Sequence, residues 1–264
     1  MTNLLHSSHL VVPDPHATPE ADNRRFDWLG QAIVEWQPDK VICLGDLGDM
    51  PSLCPHHGKR EAEGGRIRRD IEAVQDAQER LWRPLQQYNA QRKAWKERQY
   101  KPRTVLLGGN HDQDWVERAV EDHPSLEGFL TLDALEFHDW WDEYVEYKLP
   151  IEIDGIKYAH HLPAGVSGRP VGGTHAARQL LQKHHQSCTV GHSHVLDYKT
   201  HPRKGDNAHM HGLVAGCFFE HSPSYARRDV SDFWWRGLIW KKNVRHGDYT
   251  LSTISIEELG RQFA

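Results

Sequence analysis

An α/β fold built on a parallel sheet is what the sequence predicts, on three observations. A strand, a helix and a second strand follow one another between His9 and Leu44, the order of a βαβ unit. A further apolar run at Thr104–Leu107 resumes the sheet after a long polar stretch that keeps a helical stripe. The second half of the chain is strand-rich, with turn signals between short apolar runs.

His9–Pro13 reads as a buried strand, because its apolar run ends in Pro13 and Asp14 and so leads into a loop. Phe26, Leu29, Ile33 and Trp36 recur at helical spacing, and Pro38 closes that helix. Lys40–Leu44 is the second strand, followed at once by Gly45 and Asp46. Over residues 52–102 the stripe Ile67, Ile71, Val74, Leu81, Leu85 and Tyr88 predicts a helical arm inserted between sheet strands and kinked at Pro84. Thr104–Leu107 ends in Gly108, Gly109, Asn110, His111 and Asp112. Asp154-Gly155 is a hairpin signal between Ile151–Ile153 and Ile156–Ala159. Ala176–Lys183 predicts a helix, and Ser187–Val190 a strand running into Gly191, His192, Ser193 and His194. His211–Ala215 and Gly237–Trp240 are further strands. A single domain accommodates all 264 residues, and no internal repeat divides them.

No apolar run reaches the length of a membrane span, and the N-terminus has no basic segment followed by a long apolar one. A cytoplasmic protein with no membrane partner is therefore expected. Cys43, Cys54, Cys188 and Cys217 are scattered without a CxxC pair, so no disulfide framework is expected. The net charge of −5 excludes a globally basic nucleic-acid binder. The charge is uneven, however: between Lys59 and Arg103 thirteen Lys and Arg residues face seven Asp and Glu, a local excess of +6. Histidine is the second anomaly, at 20 residues, and it is the commonest metal ligand.

Metal-binding side chains stand at the ends of successive predicted strands: Asp14 and His16, Asp46, Asn110, His160, then His192 and His194. Open α/β sheets place their sites at the carboxyl ends of strands. Asp-x-His and His-x-His spacings suit turns that aim two side chains at one ion, and the two oxygens of Asp46 suit a bridge between two ions. Oxygen donors mixed with imidazole favour Mn, Fe, Zn or Mg over a thiolate-type structural zinc. Each piece alone is an ordinary turn or a core histidine; the ordered set is the signal.

At these residues the sequence resembles the calcineurin-like metallophosphoesterase family. The matching blocks are VVPDPH (11–16), LGDLGD (44–49), LLGGNHDQD (106–114), YAHH (158–161) and VGHSH (190–194). The resemblance implies a four-layer sandwich of two mixed β-sheets flanked by helices, and a binuclear centre of two divalent ions, manganese first, with Fe, Zn, Ni or Mg as alternatives. It implies that Asp14, His16, Asp46 and His194 hold one ion, and that Asp46, Asn110, His160 and His192 hold the other. His111 would not be a ligand but would contact the phosphate and protonate or stabilise the leaving oxygen, Asp112 would orient His111, and Asn110 would also meet the substrate. Two departures stand out. Pro13 replaces a residue that is often small and polar, and the usual His-Gly block is here His160-His161. His160 is the favoured ligand, because Leu162–Gly165 resembles the loop that follows that ligand in phage-type members; His161 is the fallback.

The expected activity is hydrolysis of a phosphate ester by water that two metals activate, which needs no protein nucleophile, and no Ser/His/Asp or Cys/His arrangement stands out as a competitor. Nucleic acid or a nucleotide diester is the preferred substrate class because of the basic stretch, which is alternatively a solvated helix. A phosphomonoesterase is the alternative enzyme, and a non-catalytic scaffold of the same fold ranks below both. The Gly-rich segment 165–175 is either a loop whose Arg169 meets phosphate or an ordinary connection. Glu220 and His221 are the later residues best placed to reach the site rim. Trp234, Trp235 and Trp240 read as core packing rather than a base-stacking platform.

Overall fold

Continuous apolar runs are the mark of parallel strands covered on both faces, and the N-terminal run forms such a strand in the computed structural model, which describes residues 6–54, 66–222 and 228–264. The elements in chain order begin β1 (Ser7–Val12), α1 (Arg24–Trp36), β2 (Lys40–Cys43), α2 (Arg66–Ala94), β3 (Arg103–Leu107), α3 (Trp115–Asp122), α4 (Phe137–Trp140) and β4 (Glu143–Val145). They continue with β5 (Ile151–Ile153), β6 (Ile156–Ala159), α5 (Ala176–His184), β7 (Ser187–Val190), β8 (Leu196–Pro202) and β9 (His209–Ala215). The last are α6 (Arg228–Ser231), β10 (Gly237–Arg245), β11 (Asp248–Ser255) and α7 (Ile256–Phe263).

These strands make two mixed sheets, one in the order β11-β10-β1-β2-β3-β4 and the other in the order β5-β6-β7-β9-β8. β1, β2, β3 and β4 run parallel, and so do β6, β7 and β9, while β10, β11, β5 and β8 are antiparallel to their neighbours. The sheets pack face to face. Val11, Ile42, Leu44, Val105 and Leu107 of the first meet Ile156, Tyr158, Leu213 and Ala215 of the second in one buried cluster. The alternate residues Leu10, Val12, Val41, Cys43 and Leu106 point the other way, against Phe26, Leu29 and Ile33 of α1 and Val74 and Leu81 of α2. On the outer face of the second sheet, Ala176 and Leu180 of α5 cover Cys188, Val190 and Val214. The result is an α/β fold of two mixed sheets flanked by helices.

The predicted arm proves to be a packed layer. Ile71, Val74, Ala77 and Leu81 are buried on α1, and α2 continues through Pro84, whose ring lies over Gly30. The near end of α2 sits by the loop after β2, where Asp70 accepts Ser52 N–H at 2.9 Å. Arg92 lies about 33 Å further along the helix, at 1.5 Å per residue. There Tyr88 and Tyr100 are tied to Gln37 and Pro38, ahead of β2. Arg92, Lys93 and Lys96 therefore occupy the opposite end of the sheet from the carboxyl ends of its parallel strands. Lys59 and Arg60 lie outside the described residues. No helix among the described residues is long and apolar enough to cross a membrane.

Candidate metal centre

The loops that leave β1, β2, β3, β6 and β7 converge, and the structure brings Asp14, His16, Asp46, Asn110, His160, His192 and His194 into one cluster. Sharp turns are needed to aim consecutive side chains inward. Asp14, His16, Asp46, His192 and His194 adopt φ values of 36°, 45°, 49°, 69° and 60°. That left-handed region costs a residue with a side chain about 1–3 kcal/mol, and such strain collects at functional sites. Two glycines permit the close approach: a Cβ on Gly109 would lie 2.0 Å from Asp46 Oδ1, and one on Gly191 would lie 2.1 Å from Asp14 Oδ1.

Two groups of donor atoms form within the cluster. In the first, His16 Nε2 is 3.2 Å from His194 Nε2, which is 3.5 Å from Asp14 Oδ2. In the second, Asn110 Oδ1 is 3.0 Å from His160 Nε2 and 2.9 Å from His192 Nδ1, and the two ring nitrogens are 3.2 Å apart. Asp46 Oδ2 stands between the groups, 3.7 Å from His16 Nε2 and 3.3 Å from His160 Nε2.

The tautomers show what faces inward. His16 Nδ1 donates to Asp49 Oδ1 at 2.7 Å and His160 Nδ1 donates to Leu44 O at 2.9 Å, which leaves the Nε2 atoms of both facing the cluster. Histidine ligands are held in this way, by a carboxylate or a carbonyl on the far nitrogen. Lone pairs of nitrogen and oxygen crowded at 2.9–3.3 Å repel one another unless a cation lies among them. Donors about 2.1 Å from one ion lie about 3.0–3.4 Å apart at right-angle to tetrahedral geometry. Asp14 Oδ1 is buried without a hydrogen-bond partner among the described residues. These residues fit divalent metal ions.

The electrostatics agree. Burial, reinforced by the neighbouring Asp46, pushes Asp14 well above the ordinary carboxylate range. Burial alone would raise Asp46 too, but His160, His111 and His16 facing it hold it low. Burial and Asp46 push Asp112 up to about 7. Burial holds His192 at about 4 and His194 well below its ordinary value, so both are neutral and able to ligate.

His111 lies beside the donors, its ring centre 4.6 Å from that of His16, and with His16 and Asp49 it makes a further group that could hold a metal ion. Its Nδ1 lies 2.8 Å from Asp49 O and 3.2 Å from Asp49 Oδ1, its Nε2 3.9 Å from Asp46 Oδ2, and its ring lies against Trp115. Burial lowers it, yet Asp46 and Asp49 outweigh burial and raise it to about 9. The expected orienting role of Asp112 is corrected here. Its two oxygens accept Gly109 N–H and Leu47 N–H, both at 2.7 Å, and so tie the turn after β3 to the loop after β2. Asp49 orients His111 instead, and His16 with it. Sequence reasoning passes over this residue, although it stands three positions after Asp46 in the LGDLGD block.

Further residues frame the centre. The buried Arg25 guanidinium donates to Pro15 O, His16 O and Phe218 O at 2.8, 3.3 and 3.0 Å, fixing the Asp14–His16 turn from below. Phe219 packs its ring against His16 and His194, and Trp234 meets His194 at 4.7 Å, so this tryptophan lines the cluster rather than the core. His221 lies against Phe219, whereas Glu220 is exposed. His161 turns away from Asn110 and lies between Tyr147 and His192. Arg169 is exposed on the loop after β6 and makes no side-chain contact with the cluster among the described residues.

No protein-family model matches the chain, and no curated protein matches it. Among solved structures, one crystal structure aligns with a TM-score of 0.42 and 10% identity over 94% of this chain and 99% of the other. The crystal structure of TT1561 of Thermus thermophilus aligns with a TM-score of 0.38 and 11% identity over 96% of this chain and 100% of the other.

Proposed function

We propose that the chain is a binuclear, metal-dependent phosphoesterase. The observation that carries this reading is the pair of donor groups, Asp14/His16/His194 and Asn110/His160/His192, with Asp46 Oδ2 between them. The resemblance of five sequence blocks to calcineurin-like metallophosphoesterases supports it. Asp14, His16, Asp46 and His194 would hold one ion, and Asp46, Asn110, His160 and His192 the other, manganese being the first candidate. When bound, two such ions supply Lewis-acid activation of water and neutralise charge on the phosphate oxygens.

The protein's own part centres on His111. Held at Nδ1 by Asp49 and raised to about 9, its imidazolium presents Nε2–H on the side of Asp46. There it can donate to a phosphate oxygen and pass a proton to the leaving oxygen, a role worth roughly two to four powers of ten. Burial of Asp14, Asp46 and His16 keeps bulk water from screening these charges.

A phosphodiester of nucleic acid or a nucleotide is the preferred substrate class, with Arg68 and Arg69 exposed at the near end of α2. A phosphomonoesterase is the second reading. The test is hydrolysis of bis(p-nitrophenyl) phosphate, p-nitrophenyl phosphate and labelled nucleic acid by protein loaded in turn with Mn, Fe, Zn, Ni and Mg. Chelator-sensitive turnover of the diester is expected; no turnover of any substrate with any of the metals would overturn the reading.

A further inference from the structure

Beside the Asp14/His16/His194 donors the chain builds an aromatic wall that metal binding leaves unused. The Trp234 indole is partly buried, and its two ring neighbours, His194 and Phe219, meet it at 89° and 76°, so neither stacks on it face to face. Phe233, the preceding residue, is 77% exposed and has no ring partner among the described residues. Val230, one helical turn earlier, is 48% exposed, and its carbonyl accepts the Phe233 N–H. A single exposed apolar side chain is ordinary, but Val230 and Phe233 stand on the turn that leads into Trp234, whose ring meets His194 of the donor cluster.

Polar atoms without partners accompany the wall. Arg236 places its guanidinium 5.8 Å from the Trp234 ring centre, and its Nε is buried with no hydrogen-bond partner among the described residues. His221, on the far side of Phe219, has both ring nitrogens buried and, among the same residues, unpartnered. Buried polar groups are as a rule satisfied, so unpartnered nitrogens at the edge of a site point to acceptors that a ligand brings. A wholly hydrocarbon ligand would leave them unmet, whereas a nucleoside phosphate offers a flat ring together with sugar and phosphate oxygens.

We infer that Phe233 and Trp234 form a nucleobase subsite, with the Arg236 guanidinium beside Trp234 meeting the oxygens next to the base. The inference rests on the phosphoesterase reading and deepens it: the ester cleaved at the centre carries a nucleoside on the Trp234 side. Stacking tolerates any base, so the subsite selects for a base without selecting a sequence.

The experiment compares two esters that release the same p-nitrophenol and differ only in the other substituent, thymidine 5′-(p-nitrophenyl phosphate) and methyl p-nitrophenyl phosphate, on the manganese-loaded protein. The wild type is expected to favour the thymidylyl ester in kcat/KM by about 5- to 150-fold, the worth of one base–aromatic stack. Phe233→Ser, at an exposed side chain that the fold does not need, and Trp234→Leu should each lower that ratio, chiefly through KM for the thymidylyl ester. Trp234→Phe should keep most of it. A wild-type ratio near one, or variants that slow both esters and leave the ratio unchanged, overturns the subsite alone. Hydrolysis of neither ester overturns the phosphodiester preference and the subsite with it, and the phosphoesterase reading then stands or falls on p-nitrophenyl phosphate.

Discussion

Asp49 is the residue whose replacement separates orientation from ligation most sharply. One of its oxygens, Oδ1, serves two rings, 2.7 Å from His16 Nδ1 and 3.2 Å from His111 Nδ1, while its carboxylate is almost wholly buried. The His16 hydrogen bond to this charged group is worth about 1.5–3 kcal/mol, and the His111 ring keeps its bond to the Asp49 carbonyl when the side chain is lost, so Asp49→Ala should destabilise the chain by roughly 2–3 kcal/mol. Asp49→Asn is the sharper variant, because the amide oxygen can still accept from one ring while the charge is gone. Partners of metal-ligating histidines cost about 10- to 100-fold in metal affinity or activity when lost, and that is the expected fall for Asp49→Asn through His16. The second effect passes through His111, which Asp46 and Asp49 hold up to about 9 against burial. Removing one of two neighbouring carboxylates should lower that value, so the alkaline limb of the pH–rate profile should move to lower pH. The assay is kcat/KM across pH on the Mn-loaded protein, alongside metal analysis and thermal unfolding. An Asp49→Asn variant within about twofold of the wild type, with an unmoved alkaline limb, refutes the orienting role.

The remaining predictions concern neighbouring parts of the site and the fold. Gly109→Ala should abolish metal binding, because its Cβ would meet Asp46 Oδ1 at 2.0 Å; a metal titration equal to the wild type counts against that packing. His160→Ala should cost one metal equivalent and collapse activity, whereas His161→Ala, whose ring faces Tyr147 rather than Asn110, should be milder; the reverse ranking transfers the ligand role. Burial holds His9 at about 4 in the folded chain against 6.5 unfolded, despite the raising influence of Asp154. Its stabilisation is therefore complete above about pH 6.5 and fades as the pH falls toward about 4, by on the order of 3 kcal/mol. Chelated protein should lose thermal stability over that window, and His9→Gln should lose less of it; equal slopes exclude His9 as the cause. With a nucleic-acid substrate, Arg68→Gln and Arg69→Gln should flatten the salt dependence of KM by about 0.7–0.9 log per lost contact. The triple replacement of Arg92, Lys93 and Lys96 by Gln, at the far end of α2, should leave that dependence unchanged.

The parallel core was legible because its strands are buried on both faces and so read as unbroken apolar runs ending in a turn and a polar residue, as at Leu10–Asp14 and Val41–Asp46. β4 and β8 were not. Glu143–Val145 is only three residues long, and Leu196–Pro202 is an edge strand whose residues are mostly exposed, so neither carries a core pattern. β11, the antiparallel edge of the first sheet, holds mostly small polar residues at Asp248–Ser255 and is equally hard to see. The stripe on α2 was visible, but a stripe does not name what it packs on, and α1 turns an expected arm into a layer. The candidate ligands lie one to four residues beyond a strand end, which a linear reading can see. Orientation was less visible: Asp49 and Asp112 both follow a Gly-rich turn, and only the fold decides which carboxylate reaches His111. Trp234 reads like core because tryptophan usually is, and its contact with His194 spans 40 positions of sequence.

Metal stoichiometry tests the proposed binuclear centre most directly. Purified protein stripped with chelator and titrated with Mn²⁺ should take up two equivalents per chain and give the electron paramagnetic resonance spectrum of a spin-coupled pair. Asp46→Asn should lose that coupling together with most of the affinity, because Asp46 Oδ2 is the atom that faces both donor groups. Uptake of one equivalent or none by the wild type, or an unaltered coupled spectrum in Asp46→Asn, would contradict it.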